Sequence, residues 1–163
     1  MTRLPAVVAL AALAVALAGA RGRGPQVLAV APDAQTALRA LWRASVATRA
    51  ERVACLASVV DGDTLRITRV NPLTAGADSL AVSAGSSLEL CAPPEWQGTV
   101  HTHIALTEGQ RPRAQFSGAD RGVMLMWWQR WKMDGTFCLV YTEDEAHCEI
   151  DGAGLVILPS TRY

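Results

Sequence analysis

Two histidines and an aspartate have the residue types and the spacing of a metal site. His101 and His103 are separated by one residue in an apolar run, and Asp120 opens the next predicted element. Successive side chains of a strand alternate between its faces, so His101 and His103 should point the same way and Thr102 the other way. Two imidazoles and a carboxylate can bind one divalent cation and leave a fourth position open, as a catalytic zinc requires.

The position of Asp120 decides whether it can join the histidines. Ser117 and Asp120 form the S-x-x-D pattern that opens a helix, and Asp120, Met124, Trp127 and Trp131 then share one helical face. A carboxylate in the first turn of a face that packs on the sheet projects toward the sheet. The alternative is that Asp120 only caps the helix and complements its dipole. The histidines just upstream favour the metal-ligand interpretation.

Hydrolysis at such a site also needs a carboxylate beside the open position, because the attacking water must lose a proton that then reaches the leaving group. Most acidic residues lie in predicted turns or on exposed faces. Residue chemistry alone leaves four candidates for this base: Glu51, Glu89, Glu95 and Glu108.

The elements that must position these residues follow from hydrophobic periodicity and turn residues. A helix with Asp33 as its N-cap is predicted over residues 33–50, and a second helix begins at Ser117. Strands are predicted over residues 51–60, 64–70, 96–104, 136–142 and 154–158, with an edge strand at 146–150 and a loop over 71–87. This order predicts an α/β domain with a curved, mixed β-sheet flanked by helices.

Composition and charge set the broad class. The chain has 163 residues, half of them apolar, which suits a single domain. Its formal net charge is zero and its basic residues are scattered, which excludes a basic surface for binding nucleic acid. Residues 1–20 resemble a secretory signal peptide. Residues 21–32 are predicted to be a flexible lead-in, and residues 33–163 to form the folded domain. We therefore expect an exported protein. The alternatives are a membrane anchor, if the segment is not cleaved, or a cytoplasmic protein.

The four cysteines are expected to be paired if the protein is exported. An exported chain with four cysteines favours two disulfides. Cys138 and Cys148 flank a turn-like acidic stretch and could face each other across a hairpin, which would leave Cys55 and Cys91 as the second pair. His147 stands alone beside acidic residues and is predicted to be a surface histidine.

Taken together, ERVACLAS, GTVHTH and SGAD resemble the JAB/MPN metalloprotease family, also called JAMM. The resemblance spans roughly residues 34–158 and implies the family's fold, with a layering like that of cytidine deaminases. It implies that His101, His103 and Asp120 bind Zn²⁺. It further implies that Glu51 is the general base and that Ser117 stabilises the oxyanion.

The resemblance implies a zinc-dependent hydrolase of peptide or isopeptide bonds, acting on a peptide or protein substrate, ubiquitin-like proteins included. Two departures concern specificity. Ile104 stands where the family usually has proline, and residues 104–116 form a longer loop than the family's, interpreted as an expanded rim or lid. Two alternatives remain: a non-catalytic binding module of the same fold, and a disulfide-stabilised envelope domain in which the HTH pattern is accidental.

Overall fold

The structure, a computed structural model, describes residues 24–74, 84–105, 107 and 109–163. Its strands are β1 (Val27–Val30), β2 (Val53–Asp61), β3 (Thr64–Pro72), β4 (Gly98–Thr102), β5 (Gly135–Val140), β6 (Glu145–Asp151), β7 (Leu155–Ile157) and β8 (Thr161–Arg162). Its helices are α1 (Pro32–Thr48), α2 (Ala84–Leu90) and α3 (Gly118–Trp131). The predicted signal peptide lies outside the described residues.

All the strands belong to one eight-stranded sheet, in the order β1-β3-β2-β4-β5-β6-β7, with β8 paired to β6. The β1–β3 and β4–β5 pairs are parallel and the other pairs are antiparallel. The sheet is curled like a half-barrel and flanked by helices. The expected α/β domain with a curved, mixed sheet is confirmed.

The main core lies between α1 and one face of the sheet. The predicted stripe of α1 is buried at Ala34, Leu38, Leu41 and Ser45, with Trp42 half-buried beside it. The expected side-chain cap is wrong. The N-cap is Ala31 without a side-chain hydrogen bond, and Pro32 begins the helix. Proline suits the first helical position because its missing N–H would have no partner there. Asp33 is left in the first turn, where its charge complements the dipole.

A smaller core lies on the opposite face, between α3 and the sheet. Met124 and Trp127 of α3 are buried against Phe137 of β5 and Leu88 of α2. The Trp127 and Phe137 rings meet edge to face, with centroids 5.9 Å apart. The Trp127 indole N–H also donates to the Met133 carbonyl at 3.1 Å. These contacts fix α3 to the sheet, and the predicted inward face of this helix is confirmed.

Three short elements were missed by sequence reasoning: β1, α2 and β8, the last of which pairs with β6 at Glu145↔Arg162 and Ala146↔Thr161. Strand β1 lies within residues 21–32, so the expected flexible lead-in is wrong over its last part; the strand pairs in parallel with β3 from Val27↔Thr64 to Val30↔Ile67. Helix α2 occupies part of the predicted 71–87 loop. All three elements are too short to show a period of their own, and they are stabilised by neighbouring elements.

Both predicted disulfides are present. Cys55 is bonded to Cys91 across 36 residues, and Cys138 is bonded to Cys148 across the β5–β6 pair. The hairpin interpretation is confirmed, but β6 is not the expected edge strand, since β5 lies on one side of it and β7 and β8 pair along the other. No helix in the described part of the chain is both long and apolar enough to cross a membrane.

Candidate metal centre

Strand β4 sets the direction of both histidines. The strand ends at Thr102, so His103 follows it directly and keeps the same side as His101. Thr102 points to the α1 side and is fully buried. Its hydroxyl lies 2.7 Å from the Ser45 hydroxyl and accepts the Arg52 backbone N–H at 2.8 Å. The residue between the two histidines therefore anchors them from behind, and the predicted alternation is confirmed.

We expect replacement of Thr102 by valine to lower the free energy of unfolding by about 1–3 kcal/mol, because the Arg52 N–H and the Ser45 hydroxyl each lose a partner at a buried site. Chemical denaturation of the parent and the variant measures this difference. Thr102→Ser keeps the hydroxyl and is the matched control. Equal stability of Thr102→Val and Thr102→Ser would contradict the anchoring role.

Asp120 faces both imidazoles from the first turn of α3. Its Oδ1 lies 3.3 Å from His101 Nε2, and its Oδ2 lies 3.5 Å from His103 Nε2. The two Nε2 atoms are 3.3 Å apart. One ligand atom from each of the three residues lies within 4.8 Å of the others, and together they could hold a metal ion. The structure brings together all three residues that the sequence predicted as ligands.

Asp120 caps its helix as well. Its Oδ2 accepts the Ser117 backbone N–H at 2.6 Å, and its own N–H donates to the Ser117 hydroxyl oxygen at 3.3 Å. Both bonds of a capping box are present. The two interpretations of Asp120 are therefore compatible, because Oδ1 faces His101, while Oδ2 faces His103 and also accepts the Ser117 N–H of the cap.

Hydrogen bonds shift the protonation of two of these residues, Asp120 and His103. Burial opposes ionisation of Asp120, but hydrogen bonds from His101 and His103 outweigh it and hold the pKa of the carboxyl well below its ordinary value. The hydrogen bond to Asp120 raises the pKa of His103. His103 Nδ1 lies 3.0 Å from the Arg113 carbonyl, so Nδ1–H donates there and directs Nε2 toward Asp120. A backbone carbonyl in this place commonly orients metal-binding histidines.

A cleft of about 410 Å³ opens on one side of the three residues. Its lining includes His103, Asp120, Ser117 and Glu51. Glu51 is exposed, two residues before the start of β2, and its charge contributes to the raised pKa of His103. The structure thus brings four of the five residues expected from the resemblance into one cleft, and the fifth, His101, faces Asp120 from beside it.

Two of the other candidate bases, Glu89 and Glu95, do not line this cleft. Glu89 pairs with Arg130 at 3.2 Å and Glu95 pairs with Arg69 at 3.4 Å, and all four side chains are more than half exposed. Glu108 lies outside the described residues. Among the acids for which positions are described, Glu51 is the candidate that lines the cleft with His103.

The long loop after His103 forms the rim. Residues 110–113 and Ile104 line the cleft, so the extra length of this loop borders the candidate site. Arg111 and Arg113 are exposed, and neither forms an ion pair with another described residue. The loop therefore places two positive charges at the edge of the cleft.

A buried carboxylate behind the site was missed by sequence reasoning. Glu149 of β6 is 2% exposed, and its carboxylate accepts hydrogen bonds from Nη1 and Nη2 of Arg121. It is also hydrogen-bonded to His147 Nε2 at 2.9 Å. The Phe116 ring packs between His147 and His101, with centroids 5.7 Å from each. His147 is 11% exposed, so its predicted surface position is wrong. It lies under the start of α3, which covers this face of β6.

The Glu149 cluster should affect stability in a pH-dependent way. Burial opposes ionisation of Glu149, but hydrogen bonds from Arg121 and His147 outweigh it and lower the pKa below the ordinary 4.5. Because the pKa of Glu149 is lower in the folded protein than in the unfolded chain, ionised Glu149 stabilises the fold at any pH above the unfolded-state pKa. This stabilisation is lost as the pH falls through the folded-state pKa. We expect Glu149→Gln to cost about 1–3 kcal/mol at pH 7, and the difference from the parent to shrink below about pH 4.5.

Denaturation of both proteins between pH 3 and pH 7 measures this difference. Glu89→Gln is the control, because its exposed pair with Arg130 should change stability by less than about 1 kcal/mol. A Glu149→Gln variant that differs from the parent by the same amount at every pH would contradict an ionised Glu149.

Comparison with known proteins bears on the fold. No family model matches the chain, and no curated protein matches it. Among solved structures, the chain is similar to the solution structure of protein DSY2949 from Desulfitobacterium hafniense, with a TM-score of 0.51 and 14% identity. The similarity covers 82% of this chain and 93% of that chain. At this level of identity, the likeness concerns the arrangement of helices and strands alone.

Proposed function

We propose that this protein is a zinc-dependent hydrolase of peptide or isopeptide bonds, of the JAB/MPN type. One observation carries the proposal. His101, His103 and Asp120 converge within 4.8 Å, and Glu51 and Ser117 line the cleft onto which His103 and Asp120 open. Three converging ligands, with a carboxylate and a hydroxyl in the adjoining cleft, are what metal-assisted hydrolysis requires.

The donor set fits zinc. Two imidazole nitrogens and one carboxylate oxygen are ligands that catalytic zinc sites use, and three protein ligands leave a position for water. Asp120 is ionised at neutral pH, and the neutral tautomer of His103, with its proton on Nδ1 toward the Arg113 carbonyl, offers the lone pair of Nε2. When bound, zinc would lower the pKa of a coordinated water and polarise the scissile carbonyl.

The residues of the cleft supply the rest of the chemistry. The Glu51 carboxylate takes the proton of the attacking water and passes it to the leaving nitrogen. The Ser117 hydroxyl oxygen accepts in the helix cap, which leaves its O–H free to donate to the developing oxyanion. The capping box thus holds Ser117 and Asp120 in a fixed relation to each other.

The resemblance supports a JAB/MPN-like layering of the fold, and the curled, mixed sheet with helices on both faces is compatible with it. The signal-like segment at residues 1–20 and the disulfides Cys55–Cys91 and Cys138–Cys148 favour an exported protein. We therefore propose a peptide or protein substrate outside the cytoplasm. The longer 104–116 loop would shape the groove for that substrate.

Metal analysis tests the proposal. Purified protein supplied with zinc should retain close to one zinc per chain and should cleave members of a mixed peptide library, and a chelator should stop cleavage. His103→Ala should lose both properties, whereas Lys132→Ala, an exposed residue outside the cleft, should keep them. The proposed hydrolase function would be overturned by a folded parent that holds no zinc. It would also be overturned by zinc-loaded protein that cleaves neither peptides nor isopeptide-linked conjugates. The fold would then serve as a binding module.

A further inference from the structure

A second cleft borders the candidate metal centre on the side away from Glu51. Its volume is about 270 Å³, and His101 and Asp120 form part of its wall. Its remaining lining is mostly apolar and carries two hydroxyl groups. The apolar residues are Val53, Phe116, Ala119, Val123, Met124 and Phe137, and the hydroxyls belong to Ser87 of α2 and Thr99 of β4. Neither Glu51 nor Ser117 lines it. The two clefts therefore meet at Asp120, with the polar one on one side and the apolar one on the other.

The walls of the apolar cleft are held in place. Met124 and Phe137 are 2% exposed and belong to the core between α3 and the sheet. Phe116 is held between His101 and His147, and the Arg121 guanidinium lies 5.4 Å from the centre of its ring. Pockets that bind small groups are usually preformed in this way.

The lining also excludes charge. His101 and Asp120, at the edge next to the metal centre, are the ionisable side chains among its described lining residues. Val53, Phe116 and Val123 are half-buried, so part of their apolar surface meets water in this cleft. Covering that surface with an apolar group is favourable. A charged or amide side chain placed there would lose hydration with only the nearly buried Ser87 and Thr99 hydroxyls beside it.

We propose that this cleft binds an apolar side chain of the substrate at one of the two positions flanking the scissile bond. The inference rests on the proposed hydrolase, since it places that bond at His101 and Asp120. A chain lying across the metal centre would leave its scissile bond beside Glu51 and insert the neighbouring side chain between Phe116 and Val123. The substrate class is then a peptide with leucine or a residue of similar size and polarity at that position.

Peptide cleavage tests the preference. Matched peptides carry leucine, alanine or asparagine at each flanking position. At one position the parent should favour leucine by at least about tenfold in kcat/KM over both others, because each methylene in an apolar pocket changes the rate by about 10–200-fold. Val123→Phe should narrow the pocket and remove most of the preference for leucine while zinc content stays unchanged. Leu125→Phe, an exposed position on the same helix, should behave as the parent.

A binding experiment without metal separates this inference from the proposed function. In metal-free protein labelled at the methionine methyl groups, N-acetyl-leucine methylamide should shift the Met124 signal in a saturable way. The asparagine and alanine analogues should shift it far less. Met124→Leu identifies the signal, and Met126 and Met133, which do not line the cleft, are internal references.

The outcomes differ for the two proposals. Cleavage with no preference at either position, or a Met124 signal equally affected by all three probes, overturns the apolar subsite while the hydrolase stands. Selective binding of the leucine probe by a protein that takes up no zinc overturns the hydrolase and supports the cleft as a site for apolar side chains. Leucine preference that is lost in Val123→Phe, together with selective binding, supports both.

Discussion

Replacing Glu51 by glutamine is expected to lower kcat by about 10²–10⁴-fold and to leave zinc content unchanged, since general acid–base catalysis contributes rate enhancements of that size. Glu51 lines the cleft with His103 but is not one of the three residues whose ligand atoms converge. Glutamine keeps the shape of the side chain and cannot accept the proton of the attacking water. Steady-state kinetics on the best library peptide, with metal analysis of the same sample, measures both quantities.

Glu95→Gln is the matched control. The same chemical change is made at an exposed glutamate that pairs with Arg69 on the surface, so activity and zinc content should both equal those of the parent. A Glu51→Gln enzyme with parental kcat would remove Glu51 from the mechanism. Loss of zinc in that variant would instead make Glu51 a ligand, in conflict with the geometry.

Replacing Asp120 by alanine should remove zinc, because one of three protein ligands is lost. Changes to groups that only orient a ligand already weaken metal binding by about 10–100-fold, so we expect a larger loss here. The substitution also removes the carboxylate that accepts the Ser117 N–H, which should cost about 0.5–2 kcal/mol of stability. Zinc titration against a competing chelator and chemical denaturation measure the two effects.

Ser117→Ala separates these two effects. It removes the hydroxyl that accepts the Asp120 N–H and leaves the Asp120 carboxylate in place. Its stability should fall by a similar amount, zinc should be retained, and kcat should fall by about 10²–10³-fold if the hydroxyl stabilises the oxyanion.

Equal zinc affinity in the parent and in Asp120→Ala would leave Asp120 as a helix cap alone.

The two faces of β4 have different tasks in this fold. On the α1 side, Thr102 and Ser45 form a buried hydrogen-bonded pair. On the α3 side, His101 and His103 face Asp120. Strand alternation makes this division automatic, so the HTH pattern encodes an anchor as well as two candidate ligands. A site held from behind by a buried strand residue keeps its ligands close to one geometry, which metal binding requires.

The ligand set was readable from the sequence because each part follows from local geometry. Alternation along a strand places His101 and His103 on one side, and the 3.6-residue period places Asp120 on the inward face of α3. The hairpin spacing of Cys138 and Cys148 was informative for the same reason. The choice of Glu51, by contrast, came from the resemblance, since residue chemistry left four glutamates open.

Only the tertiary structure decided the features that depend on contacts between distant segments. Glu149 and His147 alternate with buried residues along β6, a pattern that equally suits a solvent-facing strand, and the packing of α3 over that strand is what buries them. The same holds for β1 and α2, which are stabilised by distant partners, and for the apolar cleft between α3 and the sheet. Local period determines which way a side chain points along its own element, whereas burial depends on which other element covers it.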